Sequence, residues 1–325
     1  METFEIIKYS EAHFTTWNNF VAKSKNATFL FHRDFMGYHK DRFEDTSLMV
    51  CKNQKLVAIF PANKVDYTAY SHQGLTYGGL ILLENIKFDT VLKAFREALS
   101  YLKNIGIKTL VLKQMPSIYL KQPSDEISYL MFILKAELIR RDSLSVIQLD
   151  DKIKVSNNRF EGVKKAEKLQ LTIKEEHTFD AFWNEILIEN LQKKHNAKPV
   201  HSLEEITLLK KRFPNNIKQF NVYNNNKIVA GTTVFVTDTV AHSQYISGDE
   251  DKNELGSLDF LHLHLINNVF KDKVYFDFGT SNENQGKHIN KGLQFWKEGF
   301  GARTVAQDFY KIKTENFINL DEVFV

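Results

Sequence analysis

Two carboxylates flank a polar loop in the segment FDFGTSNENQGKHINKGLQFWKEGFGAR, residues 276–303. Asp277 stands before the loop and Glu283 lies within it, and either could accept a proton or hold an amine. Each has a plainer interpretation. Asp277 alternates with aromatic residues and could face solvent or cap a neighbouring element, whereas Glu283 could be ordinary polar surface. The pattern is compatible with proton transfer by a carboxylate.

Other catalytic patterns are missing from the sequence. We find no Ser/His/Asp order, no cysteine nucleophile pattern and no phosphate-binding Walker sequence. The single Cys51 excludes an intrachain disulfide and a multi-cysteine metal site. His262 and His264 are two residues apart, so on a helix they diverge by roughly 200° and cannot chelate one metal. We therefore predict no metal, no tightly bound cofactor and no covalent enzyme intermediate.

Composition indicates a globular protein of about two domains. Of 325 residues, 43% are hydrophobic and 26% charged, with a net charge of +3. This mild charge permits an anionic ligand but does not indicate DNA binding, and the lysine pairs at 164–165, 193–194 and 210–211 lie on helix faces among glutamates. With no secretory signal, no membrane span and one cysteine, the expected location is cytoplasmic.

One hairpin pattern occurs twice in the chain. VCKNQKLVAI, residues 50–59, is answered 172 positions later by VYNNNKIVAG, residues 222–231. The order of elements also repeats: helices, an antiparallel run of strands, a helix, then a further strand. We predict two equivalent domains, 1–155 and 156–325, joined in the polar stretch LDDKIKVSNNRFEG.

This plan resembles the Fem family of peptidoglycan-bridge aminoacyl transferases, which are built from two GNAT-type acyltransferase domains. The most specific likeness is an aromatic-Asp-x-Gly strand end, here Phe276 to Gly279, followed by Trp296, Lys297 and Phe300. LFHRDFMGYH, residues 30–39, is similar to the segment that opens the family's N-terminal substrate cleft. The resemblance implies an α/β (α+β) fold with two tandem GNAT-type domains, each a mixed, mostly antiparallel sheet flanked by helices.

The resemblance also implies a catalytic lysine at Lys297, where a cation offsets developing negative charge. The alternative is a helix-surface lysine paired with an acid. In this fold one strand exposes backbone N–H groups to the donor carbonyl, and the next helix N-terminus can hold phosphate. The predicted donor site therefore comprises His242, Gln244, Tyr245, Gly256, Ser257 and Asp259, although a loop glycine before an N-cap serine is an equally good interpretation of Gly256 and Ser257.

The first domain is expected to bind the acceptor. YSHQGLTYGG, residues 70–79, is interpreted as its counterpart of the donor strand, with Tyr77 able to stack on a sugar or base; a bulged strand is the alternative. For any one histidine, a structural or surface role is the plainer interpretation. The predicted acceptor residues are His32, Arg33, Tyr70, His72, Tyr77, His195 and Asn284.

These predictions combine into a hypothesis of direct transfer of an aminoacyl or acyl group to an amine of a cell-wall or glycan precursor. The glycine-rich pyrophosphate loop of ordinary GNAT enzymes is missing, which favours aminoacyl-tRNA over acyl-CoA as the donor. Two alternatives stay open. One is acyl-CoA-dependent N-acylation of a nucleotide-linked amino sugar, and the other is a non-catalytic ligand-binding protein that has kept the duplicated fold.

Overall fold

The chain forms two compact units, seen in a computed structural model that describes residues 2–324 apart from the side chains of residues 194 and 195. Unit 1 comprises the residues up to Asp142 and those from Ala306 onward, and unit 2 is Ser143–Val305. The predicted domains, 1–155 and 156–325, assigned the last strand to the second half. The divisions differ because strand pairing places that strand in unit 1.

Unit 1 contains two sheets with α-helices packed on them. Its strands are β1 Phe4–Lys8, β2 Glu44–Asp45, β3 Leu48–Lys52, β4 Lys55–Phe60, β5 Asn63–Val65, β6 Thr68–Tyr70, β7 Ile81–Leu82 and β8 Thr109–Lys113. Its α-helices are α1 Phe14–Ala22, α2 Arg33–Met36, α3 Phe88–Asn104 and α4 Glu126–Ile133. One sheet has the order β1-β3-β4-β7, and β8, β6, β5 and β2 are neighbours in the other.

Helix α3 supplies much of the core of unit 1. Its apolar residues recur at helical spacing, so one face is buried against β3 and β4 while the other meets solvent. The helix stops before Gly106, whose φ of +87° suits the turn that follows. The buried members of this face are Val91, Leu92, Ala94, Phe95, Ala98, Leu99 and Leu102.

Unit 2 is built on six neighbouring strands of a sheet. Its strands are β9 Glu137–Gln148, which begins in unit 1, β10 Thr172–Glu176, β11 Ile217–Asn224, β12 Lys227–Val236, β13 Val240–Gly248 and β14 Tyr275–Thr280. The order is β10-β11-β12-β13-β14-β9, and only the β13–β14 pair is parallel. A small hairpin follows, β15 Asn282–Glu283 with β16 His288–Ile289.

The helices of unit 2 surround this sheet. They are α5 Asn157–Lys168, α6 Asp180–Phe182, α7 Ile188–His195, α8 Leu203–Arg212, α9 Lys252–Leu255, α10 Ser257–His264 and α11 Lys291–Glu298. One turn of π-helix, Trp183–Leu187, joins α6 to α7. The predicted capping box at α8 is confirmed, since Ser202 Oγ accepts from the backbone N–H of Glu205 and the Glu205 carboxylate accepts in return.

The repeated hairpins are equivalent in detail. β3–β4 turns through Asn53 and Gln54, whereas β11–β12 turns through the two residues after Asn224. The pairing register also shifts at the same relative place in each, after Val50 in the first and after Val222 in the second. A β-bulge shared at one offset supports the predicted duplication more strongly than matching turn residues do.

The closing strands of the repeats are exchanged. Residues 144–148 of β9 pair with β14 inside unit 2. Residues 309–313 of the last strand, β17 Arg303–Lys313, pair antiparallel with β8 inside unit 1. Each unit is thus completed by a strand from the opposite half of the sequence.

Candidate functional site

Strands β13 and β14 diverge in the middle of the sheet of unit 2. Their parallel pairing covers only three positions and ends at His242 and Asp277. Beyond that point β13 stays beside β12 while β14 follows β9. A register shift in β12–β13 makes Gln244 an extra residue, opposite no residue of β12. Beyond His242, one edge of β13 therefore has no neighbouring strand among the residues that the structure describes.

A cavity of about 840 Å³ begins where the strands part, and all its lining residues belong to unit 2. Ser243 and Gln244 line it from β13, and Phe278 and Thr280 from β14. Helices α5, α7, α9, α10 and α11 and the π-helical turn before α7 provide the remaining walls. Ser243 Oγ and Gln244 Oε1 are buried without a hydrogen-bond partner, so polar groups of this wall can bind a ligand.

Lys297 contributes a buried ammonium group to the cavity wall. Its side chain is 2% exposed, and Nζ donates to the carbonyl oxygens of Gly279 at 3.1 Å and Thr280 at 2.8 Å. Because an ammonium has three protons, one N–H remains beyond these two bonds. Burial lowers the pKa of Lys297 to about 8, although the Asp277 carboxylate opposes the shift.

Asp277 and His242 form a hydrogen-bonded pair at the last paired position of the two strands. His242 Nδ1 lies 2.9 Å from Asp277 Oδ2, and Asp277 Oδ1 accepts from the Gly279 backbone N–H at 2.7 Å. Asp277 is 1% exposed. Gly279 has a φ of +68°, and its carbonyl holds Lys297. This glycine links the carboxylate to the ammonium.

The first turn of α10 carries a carboxylate that is paired with an arginine. Asp259, in the first turn, accepts from Arg159 Nη1 at 2.5 Å and from Trp296 Nε1 at 2.8 Å. Burial raises the pKa of Asp259, while Arg159 and Trp296 oppose that shift. An acid in the first turn is favourable to the helix dipole, but the charge of Asp259 is balanced by Arg159, and its hydrogen bonds come from Arg159 and Trp296 rather than from the N–H groups of the helix end.

Helix α5 covers the same end of α10. A β-carbon on Gly256 would lie 2.0 Å from the Gly162 carbonyl oxygen, and one on Gly162 would lie 2.1 Å from Asp259 Oδ2. Both positions therefore need glycine for this close packing. The cavity wall formed by α5 and α10 depends on this close packing of the two helices.

Comparisons with known proteins identify the fold. Residues 154–288 match the family model described as an acetyltransferase (GNAT) domain. A search of curated protein sequences gives no match. Among solved structures the chain is similar to FemX, with 10% identity and a TM-score of 0.65 over 97% of this chain and 99% of that one.

Two further structures agree. A tandem GNAT protein from the clavulanic acid biosynthesis pathway gives 11% identity and a TM-score of 0.54 over 96% of this chain and 99% of that one. The C-terminal domain of a putative lysylphosphatidylglycerol synthetase from Agrobacterium fabrum gives 11% and 0.61, with 96% of each chain covered. The chain has a tandem GNAT fold. The domain match and the fold support a transferase.

Within this GNAT fold the predicted donor residues divide into two groups. His242, Gln244 and Asp259 lie at or beside the cavity. Gly256 and Ser257 are absent from its lining, since α5 packs against Gly256 and Ser257 is fully buried. Tyr245 points elsewhere: its ring packs against Trp183 and its hydroxyl accepts from the His201 backbone N–H at 3.2 Å.

The predicted loop residues lie on the β15–β16 hairpin. Glu283 and Asn284 are exposed there, and Glu283 Oε1 accepts from Asn290 Nδ2 at 3.1 Å. Asn284 adopts a φ of +47°, which fits a turn. The side chain of His195 lies outside the described residues.

In unit 1, Arg33 is held inside an aromatic sandwich. Its guanidinium carbon lies 3.4 Å from the centre of the Tyr9 ring and 3.8 Å from that of Trp17, and Nη1 donates to Asp45 at 2.5 Å. The side chain is 6% exposed. These contacts give Arg33 a packing role that the predicted acceptor role did not include.

The other predicted acceptor residues of unit 1 are scattered between core and surface. Tyr77 is 1% exposed, packs on Phe31 and shares a hydrogen bond with Thr28, so its ring is not available to stack on a sugar. His72 is also buried, with Nδ1 accepting from the Gly74 N–H at 3.3 Å. His32 and Tyr70 are half-buried.

The segment interpreted as unit 1's donor strand is mostly a loop. β6 ends at Tyr70, after which Ser71 Oγ accepts from the Lys113 N–H at 2.8 Å and the Gly78 N–H donates to the Lys113 carbonyl at 2.7 Å. A β-carbon on Gly78 would lie 2.0 Å from the Ser71 carbonyl oxygen. The chain therefore folds back into the place where the corresponding strands of unit 2 separate.

Sequence reasoning missed Arg159 and Ser243 as cavity residues. Two signals were available. Gly162 interrupts an otherwise helical pattern, which suggests close packing on a neighbour, and Arg159 is one turn away on the same helix. Ser243 lies between His242 and Gln244, both of which were predicted.

Two further properties follow from the residues that the structure describes. Among them, no group of three or more His, Cys, Asp or Glu side chains is arranged to hold a metal ion. No helix in this part of the chain is both long and apolar enough to cross a membrane.

Proposed function

We propose that this protein transfers an aminoacyl or acyl group directly to an amine of a cell-wall or glycan precursor, using the cavity of unit 2. The main support is the Lys297 ammonium in a cavity that opens between two separating strands. A buried cation with one N–H beyond its two carbonyl bonds is suited to stabilise an oxyanion, because electrostatic interactions are strong where water is excluded.

The reaction needs no enzyme nucleophile. The acceptor nitrogen attacks the donor carbonyl, a C–N bond forms, and the negative charge moves to the carbonyl oxygen beside Lys297. Collapse of the tetrahedral intermediate breaks the bond to the leaving oxygen or sulfur. Cys51, the single cysteine, is buried in β3 of unit 1, outside the residues that line the cavity.

The charge around α10 does not distinguish the two donors. The preceding stretch, residues 249–254, carries four acids against one lysine, but the cavity itself is lined by four basic residues, Arg159, Lys165, Lys252 and Lys297, against the two acids Glu161 and Asp259. The preference for aminoacyl-tRNA as the donor therefore comes from the missing glycine-rich pyrophosphate loop and from the resemblance to the Fem family, and acyl-CoA is the alternative.

A non-catalytic binding role, in which the fold is kept but catalysis is lost, is the second candidate. Unit 1 illustrates how a catalytic cavity could be lost. There the loop of residues 71–79 fills the place between the strands. In unit 2 the equivalent place holds the cavity, with a buried ammonium and unpartnered polar groups. The contrast favours retained chemistry in unit 2.

Separate incubations with two labelled donors test the proposal. The protein is incubated with tRNA carrying a labelled amino acid, or with labelled acetyl-CoA, together with amino sugar nucleotides and lysine-containing peptides as acceptors. We expect label on an acceptor from charged tRNA. Labelling from acetyl-CoA alone would reject the tRNA donor, and no labelling from either donor, with ligand binding intact, would favour the binding role.

The pH dependence of transfer should reveal Lys297. We expect the rate to fall as pH rises through about 8, because the ammonium loses its proton. An aromatic amine that stays neutral over this range serves as the acceptor, which removes acceptor titration from the profile. Folding lowers this pKa, so the contribution of Lys297 to stability increases above pH 8 rather than decreases. A rate that stays constant to pH 10 would contradict the role.

A further inference from the structure

The His242–Asp277 pair is placed where the cavity starts. Ser243 and Phe278, the next residue along each strand, both line the cavity, whereas His242 and Asp277 lie beside it and are not among its lining residues. The imidazole is also close to the loop that holds the ammonium, since a β-carbon on Gly279 would lie 3.2 Å from His242 Cε1. With 13% of its side chain exposed, His242 is partly accessible.

Asp277 fixes the orientation and tautomer of this imidazole. One carboxylate oxygen accepts from the Gly279 N–H at 2.7 Å, which leaves the other facing His242 Nδ1 at 2.9 Å. Beside a carboxylate, a neutral imidazole carries its proton on Nδ1. The Nε2 lone pair is then available to accept a proton. Orienting a histidine base through a buried aspartate is an established arrangement in hydrolases.

The other ionisable groups near the cavity are committed elsewhere. Lys297 donates to two carbonyls and Asp259 accepts from Arg159 and Trp296. Of the two exposed glutamates, Glu161 pairs with Lys164 at 3.0 Å, and Glu283 is bonded to Asn290. Of these four, Asp259 is also oriented by its partners, but both donate to Oδ1, and its Oδ2 packs against Gly162 of α5.

We propose that His242 is the general base that takes the proton from the attacking amine, with Asp277 as its positioning residue. This inference rests on the proposed acyl transfer. As nitrogen bonds to the carbonyl carbon, its proton passes to His242 Nε2. The bond to the leaving oxygen then breaks, the oxygen takes the electron pair, and the imidazolium returns the proton to it. Atoms and charge balance, and the histidine is regenerated.

The first test is His242→Asn, which keeps an N–H donor for Asp277 but has no basic nitrogen. We expect kcat to fall about 10²–10⁴-fold with little change in the KM of the donor, and the acid limb of the pH profile to disappear. Asp277→Asn should lower kcat and change the same limb. The matched control is His177→Asn, which alters an exposed histidine of unit 2 and should behave as the wild type.

Chemical rescue separates a catalytic from a structural role. His242→Ala should regain activity when imidazole is added, in proportion to its unprotonated fraction, whereas a packing role predicts no rescue. If the wild type transfers acyl groups and His242→Asn matches it in rate and pH profile, the base assignment is overturned while the transferase stands. If the wild type transfers nothing from either donor, the proposed function itself fails.

Discussion

Replacing Lys297 with methionine should lower kcat for acyl transfer by about 10²–10³-fold, the range found when one oxyanion donor is removed. Methionine fills similar space without a charge, so the change isolates the ammonium. The KM of the donor should change less than kcat, because stabilisation of an oxyanion is realised in the transition state rather than on binding. Initial rates with saturating donor and acceptor measure this.

The matched control for this substitution is Lys291→Met, which removes an exposed ammonium from the first turn of the same helix. It should leave kcat within about twofold of the wild type. Circular dichroism and thermal unfolding of both variants verify the fold. A fully active, folded Lys297→Met protein would contradict the proposed chemistry.

Gly256→Ala should destabilise unit 2 by about 2–5 kcal/mol. A left-handed backbone costs a non-glycine residue roughly 1–2 kcal/mol, and overpacking adds roughly 1–3. Here φ is +67° and the added methyl would lie 2.0 Å from the Gly162 carbonyl oxygen. Since the obstacle is backbone, α5 and α10 must move apart. Hydrogen exchange of the backbone amides should be faster in both helices. A separate titration with the donor should show weaker binding.

Alanine variants of two other glycines separate the cost of backbone strain from that of the steric clash. Gly106 has a φ of +87° and open space around a built β-carbon, so Gly106→Ala should show only the cost of backbone strain, about 1–2 kcal/mol. Gly37 has open space and no positive φ, and Gly37→Ala should be close to neutral. If Gly256→Ala and Gly106→Ala lowered the free energy of unfolding equally, the separation of α5 and α10 would contribute nothing to the destabilisation.

Local signals predicted the elements well. The spacing of apolar residues located α3, and the Ser202–Glu205 capping box located the start of α8. The similar residues of the two hairpins predicted that they are equivalent. Each of these signals involves neighbours in the sequence or one turn of helix, so the sequence carries it directly.

Long-range packing escaped prediction. Residues 70–79, with their glycines, were interpreted as the counterpart of the donor strand, with a bulged strand as the alternative. In the structure Gly78 instead lies where the chain turns back and bonds to β8. Likewise Tyr77 is in the core because Phe31 and Thr28, far away in sequence, surround it. The Arg159–Asp259 contact depends on the closeness of α5 and α10, which no local pattern encodes.

The exchanged closing strands constrain how the chain matures on the ribosome. Although unit 1 contains most of the residues made first, β8 lacks its antiparallel neighbour until residues 309–313 have been synthesised. Unit 2, by contrast, receives its donated strand before the rest of its sheet exists. The order of completion is therefore the reverse of the order of translation, and the early half must wait with an unsatisfied edge that a chaperone or the nascent second half can shield.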